Sequence, residues 1–394
     1  MKRIAIIGIG QTKFGEHWTR SLRDLSTEAG ARALEDAGIG GKSIEALFIG
    51  NMSAGRFVEQ EHLGALAVDQ AGLIPIPATR CEAACASGAL AFKKALNAIA
   101  SDEHGIVMAA GAEKMTDIAE SNVTSTLMGA GDQEWEASVG LTFAGLYALL
   151  AKVHMKTFGT TREQMALVSV NNHKNGVHNA SAQFPFAITV EDVLNSSVIA
   201  EPLRMLDCSP ISDGAAAIIL ASEEKVRELR KLDLLKKEPI WVVGSGQASD
   251  TLALHDRASL TEMMATKIAS KKAYEQSALG PNDIDVVEVH DCFSINEIIA
   301  VEDLGFCEKG KGGKFVEDGK IAINGEKPVN TTGGLKSIGH PVGATGIRQL
   351  TDLTKQLRGE CGVLQVNGCR NGLALNIGGS GATAVVHVLR KMDD

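Results

Sequence analysis

The second half of the chain repeats the stretch Ala5-Ile-Ile-Gly-Ile-Gly-Gln11 as Trp241-Val-Val-Gly-Ser-Gly-Gln247. Each stretch is a short apolar run that ends in glycines, which is typical of a buried strand in an α/β protein. Further matches follow along the chain. Any one of them could arise by chance, but they occur in the same order in both halves. This common order predicts a duplicated α/β unit.

The further matches also indicate where the two copies differ. They pair the predicted strand Ala46–Gly50 with Asp285–Val289 and the loop Ala84–Ala89 with Gly339–Ala344. They also pair the predicted strand Gly105–Gly111 with a strand predicted at Gly362–Gly368, and Gly214–Ile219 with Gly381–Val386. The offset in residue number between Gly214–Ile219 and its partner is smaller than the offset between Gly105–Gly111 and its partner. The first copy therefore contains extra residues between these two stretches. They correspond to segment 117–205, in which the strand and helix patterns stop alternating. We therefore expect residues 1–116 and 206–235 to form an N-terminal half, residues 117–205 an inserted loop domain, and residues 236–394 a C-terminal half.

The composition excludes several classes of protein. The chain has 394 residues, 44% of them hydrophobic and 22% charged, and a net charge of −9. These values are typical of a soluble globular enzyme and exclude an overall basic surface for nucleic acid. The longest apolar stretch, residues 139–151, is too short to cross a bilayer, and the first residues do not form a signal-peptide pattern. Because the seven cysteines also indicate a reducing compartment, we expect a cytoplasmic protein without nucleic-acid or membrane partners.

The glycine pairs Gly8-x-Gly10 and Gly244-x-Gly246 do not predict a dinucleotide site. Such a site requires a third glycine and a helix that follows at once. The third positions hold Lys13 and Ser249, and no helix pattern follows. The pairs are therefore interpreted as strand ends, which disfavours a dehydrogenase.

Cys85 is the first candidate catalytic residue. It lies among small residues in Cys81-Glu-Ala-Ala-Cys85-Ala-Ser87-Gly-Ala, and a helix is predicted to begin near Ser87. The positive end of a helix and its free N–H groups favour a thiolate, and small neighbours leave room for a substrate. The alternative is that Cys85 is a small buried filler, which is how Cys81 is interpreted.

Three later loops carry further candidates. His290-Asp-Cys292-Phe293 follows a predicted strand, where α/β folds place their sites, although a surface histidine beside a capping Ser294 would explain it equally well. Gly339-His340-Pro-Val-Gly-Ala-Thr-Gly346 places one histidine among glycines before a predicted helix. In Asn376-Ile-Gly378-Gly-Ser-Gly381, backbone N–H groups of a glycine-rich turn could face an anion.

With these four loops the chain resembles the thiolase superfamily over essentially its whole length. Cys85-Ala-Ser-Gly, Gly339-His340-Pro-x-Gly-Ala-x-Gly and Asn376-x-Gly378 are similar to three catalytic loops of the family, in the same order. The fourth, His290-Asp-Cys-Phe293, resembles the sterol-carrier-protein-2-type and archaeal branch, because common thiolases carry Asn-Glu-Ala-Phe there. The resemblance implies the α/β thiolase fold: two pseudo-repeated halves with mixed five-stranded sheets in five layers, plus an inserted loop domain.

The resemblance also implies roles for the candidate residues. Cys85 accepts the acyl group, His340 is its base, and the N–H groups of Cys85 and Gly378 hold the oxyanion. Common thiolases place an acid/base cysteine where this chain has Asn376, so the role passes to Cys292, with His290 and His340 stabilising the enolate. Cys369 is left as structural, and no metal is expected.

The expected ligands are coenzyme A thioesters, with no further cofactor. By resemblance, coenzyme A lies along the inserted loop domain, where Ser209 meets its pantetheine arm. The sequence does not indicate which basic residue of this domain contacts the phosphates of coenzyme A. The basic residues there include Lys152, Lys156, Arg162, Lys174 and Arg204.

The resemblance implies an acetyl-CoA C-acetyltransferase that makes or cleaves acetoacetyl-CoA. A ketoacyl-synthase-like decarboxylating enzyme also uses one cysteine and two histidines, but Cys292 and the Gly-His-Pro loop favour the thiolase. A third hypothesis is a non-catalytic scaffold subunit, which is disfavoured because all four expected catalytic side chains are present.

The expected biological context comes from the archaeal branch. Residues Gly50–Ala54 and Asp207–Asp213 are similar to it. Its members act at the entry to the mevalonate pathway and associate with 3-hydroxy-3-methylglutaryl-CoA synthase through a zinc-ribbon/OB-fold (DUF35-type) protein. We also expect a homodimer or tetramer, as in the family.

Overall fold

Nine strands form one continuous mixed sheet in the computed structural model, which describes residues 2–392. With a separate two-stranded sheet, the strands are β1 (Ile4–Gln11), β2 (Ala46–Gly50), β3 (Ala78–Cys81), β4 (Ile106–Glu113), β5 (Val198–Ala200), β6 (Leu203–Arg204), β7 (Gly214–Ser222), β8 (Ile240–Ser249), β9 (Val286–Glu288), β10 (Asn371–Gly378) and β11 (Thr383–Arg390).

The α-helices alternate with these strands in both halves of the chain. They are α1 (Leu22–Ala37), α2 (Ala54–Phe57), α3 (Leu63–Gln70), α4 (Ser87–Ala100), α5 (Glu120–Leu127), α6 (Phe143–Phe158), α7 (Arg162–Gly176), α8 (Val190–Asn195), α9 (Glu223–Lys231), α10 (Met264–Ser277), α11 (Ser294–Asp303), α12 (Gly312–Glu317), α13 (Gly334–Ile338) and α14 (Thr345–Arg358). None of the helices within residues 2–392 is both long and apolar enough to cross a membrane.

The strand order shows the duplication directly. The large sheet runs β3-β2-β4-β7-β1-β8-β11-β10-β9. In the first half β2 is parallel to β4, and β4, β7 and β1 are successively antiparallel; β9, β10, β11 and β8 repeat this arrangement. The two halves join where β1 pairs with β8 through Ile4–Val242, Ala5–Trp241 and Ile6–Ile240. These are the two strands whose sequences repeat most clearly.

Two details differ from the sequence-based prediction. The prediction of a strand at Gly362–Gly368 is wrong, because Gly362–Leu364 is a 3₁₀ turn. The strand that corresponds to β4 in the second half is β10, which begins at Asn371. Both terminal glycines of the stretch have positive φ (54° and 70°), which a strand does not use, and Val363 is 75% exposed. The second half also has four strands instead of five, because the edge position holds only an isolated bridge between Val287 and Val329.

The helices form layers around the two halves of the sheet. Helix α1 packs on β1 and β7, and α10 packs on β8 and β11. Between the halves, α4 lies on β2 and β4, α14 lies on β9 and β10, and the two helices contact each other. Their apolar side chains, including Phe92 and Leu353, share one buried cluster with strands of both halves. The order helix, sheet, helix, sheet, helix gives the five layers that the resemblance implies.

Between β4 and β7 the chain leaves the sheet. Helices α5 to α8 and the β5–β6 hairpin occupy this excursion. Thr142 caps α6, and Thr161 caps α7 in a capping box with Gln164, which satisfies free N–H groups at the start of each helix. Helix α7 packs on α11, α12 and α13, so the excursion lies over the C-terminal half.

Candidate active site

Three predicted side chains meet where loops follow the carboxyl ends of parallel strands. Cys85 follows β3 and precedes α4, His290 follows β9, and His340 precedes α14. The thiol sulfur and one ring nitrogen of each histidine all lie within 4.8 Å of one another. The two imidazole rings are 4.9 Å apart between centroids, at an angle of 77°. The structure therefore brings together residues that are far apart in sequence.

The backbone turn before α4 presents the Cys85 thiol. Ala84 adopts a left-handed conformation with φ 51°, which costs about 1 kcal/mol for a residue with a Cβ. Ser87 holds the turn, because its hydroxyl accepts from the N–H of Ala83 at 2.9 Å and donates to the carbonyl of Ala84 at 2.6 Å. The cysteine thus lies directly before the helix, as predicted.

Glycines bring the Cys85 and His340 loops close together. A Cβ on Gly88 would lie 2.7 Å from the carbonyl oxygen of Gly343, and a Cβ on Gly346 would lie 2.3 Å from the nitrogen of Ala89. The first turns of α4 and α14 therefore pack backbone against backbone. This close approach explains the glycines of both motifs.

The thiol of Cys85 is protonated at neutral pH. Burial of the thiol raises its pKa to about 12, although the backbone N–H groups of Gly379 and of Cys85 itself face the sulfur and lower it. The nearby carboxylate of Glu113 raises the pKa further. The helix terminus favours a thiolate, as the sequence indicated, but desolvation outweighs its N–H groups. A base must take the proton during the reaction.

The hydrogen bonds of His340 fit its predicted role as that base. Its Nδ1 lies 2.7 Å from the Thr345 hydroxyl, which donates its own proton to the carbonyl oxygen of Pro341 at 3.1 Å. Thr345 therefore accepts a hydrogen bond from Nδ1–H, and Nε2 carries the free lone pair. Within residues 2–392 this Nε2 is buried without a hydrogen-bond partner. Burial lowers the pKa of His340 to about 3, so the ring is neutral at neutral pH.

His290 has the opposite proton arrangement. The amide nitrogen Nδ2 of Asn376 lies 3.1 Å from Nδ1 of His290 and donates to it. The ring proton is therefore on Nε2, which is also buried and has no partner in the described part of the chain. Burial, then the neighbouring His340, hold the pKa of His290 well below its usual value. The site thus offers one imidazole lone pair and one imidazole N–H donor.

Cys292 lies beside this pair, on the loop that carries His290. The side-chain nitrogen of Asn296 is 3.8 Å from its sulfur, and the Ser209 N–H donates to its carbonyl oxygen at 2.8 Å. Burial raises the pKa of the Cys292 thiol, and a charge on Cys85 would raise it further. Cys369 instead contacts the carbonyl oxygen of Gln356 at 3.3 Å, within a core cluster of the central layer. The division of roles between Cys292 and Cys369 stays a prediction.

The predicted oxyanion donor Gly378 ends β10 next to the Cys85 loop. A Cβ on Gly378 would lie 2.3 Å from the carbonyl oxygen of Ala83, so only glycine fits there. The N–H that faces the Cys85 sulfur belongs to the next residue, Gly379. Gly378 stays a prediction for the oxyanion itself, and Gly379 is a further backbone donor of the glycine-rich turn that the sequence indicated.

The predicted coenzyme A contacts fall into two groups. Arg162 forms an ion pair of 2.7 Å with buried Asp207, and Arg204 donates to the carbonyl oxygen of Ser196 at 2.8 Å, so both have structural partners. Three lysines of the excursion have exposed side chains: Lys152, Lys156 and Lys174. Ser209 is partly exposed, and its backbone touches Cys292.

Several residues that hold the site were not identified from the sequence. Asn376 was noticed only as a missing cysteine, although its amide orients His290. Asp291 accepts from the N–H of Leu335 at 2.7 Å and from the Asn172 amide at 2.9 Å, and so ties its loop to α13 and α7. Tyr147 gave no sequence signal within an apolar helix. Such contacts join distant segments and become visible only after folding.

The same three side chains are the ones within residues 2–392 that could hold a metal ion. One thiol and two imidazoles are ligands that Zn²⁺ accepts. We nevertheless expect no metal, because a thioester already makes its neighbouring carbon acidic and each group has a role in proton transfer.

Known proteins are similar to the chain along its whole length. Residues 4–224 match the family model of the thiolase N-terminal domain, and residues 246–391 match that of the thiolase C-terminal domain-like family. An acetyl-CoA acetyltransferase of Methanothermobacter thermautotrophicus is 55% identical, over 99% of this chain and 100% of the relative. One from Methanocaldococcus jannaschii is 51% identical over 99% of each chain. Sterol carrier protein 2 of Bos taurus is 35% identical, over 97% of this chain and 71% of that protein.

Solved structures are similar as well. The Ltp2-ChsH2(DUF35) aldolase superposes with a TM-score of 0.86 at 26% identity, covering 99% of this chain and 98% of that chain. Human mitochondrial 3-ketoacyl-CoA thiolase superposes with a TM-score of 0.73 at 18% identity, covering 100% and 99%, which supports the fold alone. Taken with the family models and the archaeal relatives, these matches show that the chain belongs to the thiolase family.

Proposed function

We propose that the protein is an acetyl-CoA C-acetyltransferase, which condenses two acetyl-CoA to acetoacetyl-CoA or catalyses the reverse thiolysis. The observation that carries the proposal is the pairing of a thiol with two imidazoles whose buried Nε2 atoms have opposite proton states. The archaeal relatives named acetyl-CoA acetyltransferase support the choice of acyl group. Coenzyme A thioesters are the substrates, and no further cofactor is proposed.

In the first half-reaction Cys85 takes the acetyl group. The thiol proton passes to Nε2 of His340 while the sulfur attacks the thioester carbonyl. Because the proton moves between two neighbouring neutral groups, the site keeps its net charge, and burial does not oppose the pair as strongly as it opposes either charge alone. The N–H groups of Cys85 and Gly378 donate to the oxyanion, and each donor stabilises it by about 3 kcal/mol. As the tetrahedral intermediate collapses, coenzyme A leaves and takes the proton of Cys292.

In the second half-reaction Cys292 acts as the base. Its thiolate removes a proton from carbon 2 of a second acetyl-CoA and becomes a thiol again. The enolate oxygen accepts from Nε2–H of His290 and from protonated His340. The enolate carbon attacks acetyl-Cys85, the carbon–sulfur bond breaks, and the Cys85 thiolate recovers its proton from His340. Every proton that leaves a group is thereby returned.

A decarboxylating condensing enzyme would need Cys85, His290 and His340 but no thiol at Cys292. The position of Cys292 beside the trio supports the thiolase. The test is an assay of condensation, thiolysis and malonyl-thioester decarboxylation across acyl chain lengths. We expect thiolysis of acetoacetyl-CoA and no decarboxylation, and decarboxylation without thiolysis would contradict the proposal.

We further propose the assembly and context of the archaeal branch. The solved aldolase whose name includes a DUF35 component supports a zinc-ribbon/OB-fold (DUF35-type) partner. A 3-hydroxy-3-methylglutaryl-CoA synthase would then consume the product at the entry to the mevalonate pathway. The seven free cysteines support a cytoplasmic location.

We also propose a homodimer or tetramer. Strand β3 is an edge of the large sheet in the single chain, and pairing across a two-fold axis would cover that edge. Light scattering at micromolar concentration should give at least twice the mass of one chain, and a monomer would contradict the assembly.

We also propose which residues contact coenzyme A. Ser209 would meet the pantetheine arm, since its backbone contacts Cys292. The exposed lysines Lys152, Lys156 and Lys174 are the remaining candidates for phosphate contacts.

A further inference from the structure

Tyr147 lies deep in the site although no part of the proposed reaction uses it. It belongs to α6, in the excursion between β4 and β7, and is 1% exposed. Its ring stacks on Phe293, the residue after Cys292, with centroids 4.6 Å apart at an angle of 28°. Its hydroxyl donates to the carbonyl oxygen of Gly379 at 3.1 Å. A helix from outside the sheet thus contacts two of the catalytic loops.

The same hydroxyl connects the surroundings of both catalytic cysteines. It also lies near the Cys292 thiol and lowers the pKa of that thiol. On the other side, the residue whose carbonyl it holds, Gly379, presents its N–H to the Cys85 sulfur. A single phenol therefore fixes one loop at Cys85 and one loop at Cys292.

The position of the phenol proton follows from these contacts. A tyrosine hydroxyl has one proton, and here it is donated to Gly379, so the oxygen presents only lone pairs towards Cys292. When Cys292 loses its proton, the hydroxyl can turn and donate to the new thiolate. Hydrogen bonds to charged groups are stronger than those to neutral groups, so this turn favours the thiolate.

We propose that Tyr147 is a positioning residue for Cys292, which aims the thiol through the stacked Phe293 and stabilises its thiolate through the phenol hydroxyl. The role rests on the proposed function, since it concerns the base of the condensation. It assigns to the excursion a direct part in the second half-reaction, in addition to its expected contact with coenzyme A.

Other titratable groups lie near the two side chains and stay in place when the phenol hydroxyl is removed. Cys85, Lys336 and Asp291 act on Cys292. The guanidinium of Arg257 and the thiol of Cys85 act on Tyr147. A change measured in Tyr147→Phe therefore reports the hydroxyl, against a constant background of charge.

The chain offers a matched control because it has only two tyrosines. Tyr274 in α10 donates its hydroxyl to the carbonyl oxygen of Leu304 at 2.9 Å. Tyr274→Phe therefore removes an equivalent buried hydroxyl bond away from the catalytic loops. Tyr147→Phe keeps the ring that stacks on Phe293 and removes only the hydroxyl.

The first measurement compares the two half-reactions. For Tyr147→Phe we expect acetylation of Cys85 to fall by less than about 5-fold, the value of a neutral hydrogen bond. Exchange of the carbon-2 protons of acetyl-CoA should fall by about 10-fold to 100-fold, because a bond to a charged group is lost. The rising limb of its pH profile should move to higher pH, since the thiolate forms less readily. Tyr274→Phe should match wild type in both.

The second measurement does not depend on the proposed reaction. In a Cys85→Ala background, the pH dependence of Cys292 alkylation by iodoacetamide reports the thiolate itself. Tyr147→Phe should move that dependence to higher pH. When Tyr274→Phe protein is produced with 3-fluorotyrosine, Tyr147 alone carries the fluorinated and more acidic phenol. The pH dependence of Cys292 alkylation should then move to lower pH. This protein keeps the phenol at position 147, so it tests the role even if Tyr147→Phe does not fold.

The outcomes separate the inference from the proposed function. Wild-type protein that neither acetylates Cys85 nor condenses would overturn the function, while the alkylation profiles would still decide the role of Tyr147. Unchanged alkylation profiles in the phenylalanine and fluorotyrosine proteins would overturn that role. An equal loss in both half-reactions would overturn it as well, because the hydroxyl would then act only through Gly379.

Discussion

His290 and His340 lie with their rings 4.9 Å apart, and their hydrogen bonds give them opposite tautomers. Thr345 accepts from Nδ1–H of His340, whereas Asn376 donates to Nδ1 of His290. Two imidazoles that would otherwise be interchangeable thus offer one free lone pair and one N–H donor. Both stay neutral because burial lowers their pKa values, that of His340 to about 3.

The first prediction concerns the acyl acceptor. After incubation with acetyl-CoA, peptide mass analysis should find the acetyl group on Cys85, because this thiol lies before α4 and beside the free lone pair of His340. An acetyl group found only on Cys292 would overturn the assignment.

The second prediction tests the orientation of His340. Thr345→Val keeps the shape of the side chain but removes the acceptor for Nδ1–H. The free lone pair then moves between the two nitrogens, and acetylation of Cys85 should slow by about 10-fold. Rapid-quench measurement of coenzyme A release reports this step. Thr354→Val is the control, since its hydroxyl makes a buried bond of 2.7 Å to the carbonyl of Leu350 on the same helix. Equal rates in the two variants would contradict the tautomer.

The third prediction tests the orientation of His290. Asn376→Asp replaces a donor with an acceptor, so the ring proton should move to Nδ1 and the enolate oxygen should lose its donor. A reversed tautomer is costly in related catalytic arrangements, and we expect carbon-2 proton exchange to fall by at least about 100-fold. Acetylation of Cys85 should persist, because it needs His340 and not His290. Exchange at the wild-type rate would show that His290 does not donate to the enolate.

The fourth prediction uses a histidine outside the site. His387 is buried, its Nε2 lies 3.1 Å from the carbonyl of Ala89, and burial lowers its pKa to about 3. The unfolded chain binds this proton near pH 6.5 and the folded chain only near pH 3. The contribution of neutral His387 to stability is therefore lost as pH falls from 6.5 towards 3, by about 1.4 kcal/mol for each pH unit.

Denaturant unfolding at several pH values measures this effect. His387→Gln keeps an N–H for Ala89 but does not titrate. Between pH 6.5 and 5, the free energy of unfolding should fall by about 2 kcal/mol less in His387→Gln than in wild type. Parallel curves for the two proteins would show that His387 does not carry this proton linkage.

The sequence predicted the parts of the molecule that depend on local pattern. Buried strands such as β1 and β8, the start of α4 at Ser87 and the loops of His290 and His340 all follow from short motifs. The strand predicted at Gly362–Gly368 was wrong, because an apolar run with alternating residues also fits an exposed turn. Local pattern does not show which of two such runs the sheet will bury.

The hydrogen bonds that define the site could not be predicted in this way. Tyr147 and Gly379 are 232 residues apart, and Asn376 is 86 residues from His290. Nor could the pKa of Cys85 be predicted, since a helix terminus is visible in sequence but the degree of burial is not. The residue types were sufficient to propose a nucleophile, and the fold was needed to assign the protons.

The central claim is that Cys292 is the second acid/base, and one pair of variants tests it most directly. Cys292→Ala should still accept an acetyl group on Cys85, because the attack needs only a base at His340 and the backbone donors, and coenzyme A can leave as a thiolate without the Cys292 proton. Its condensation and carbon-2 proton exchange should fall by about 10²–10⁴-fold, the range for a lost general base. Cys369→Ala, which removes another buried thiol, should keep both steps within a few-fold of wild type. Normal condensation in Cys292→Ala, with its loss in Cys369→Ala, would contradict the account.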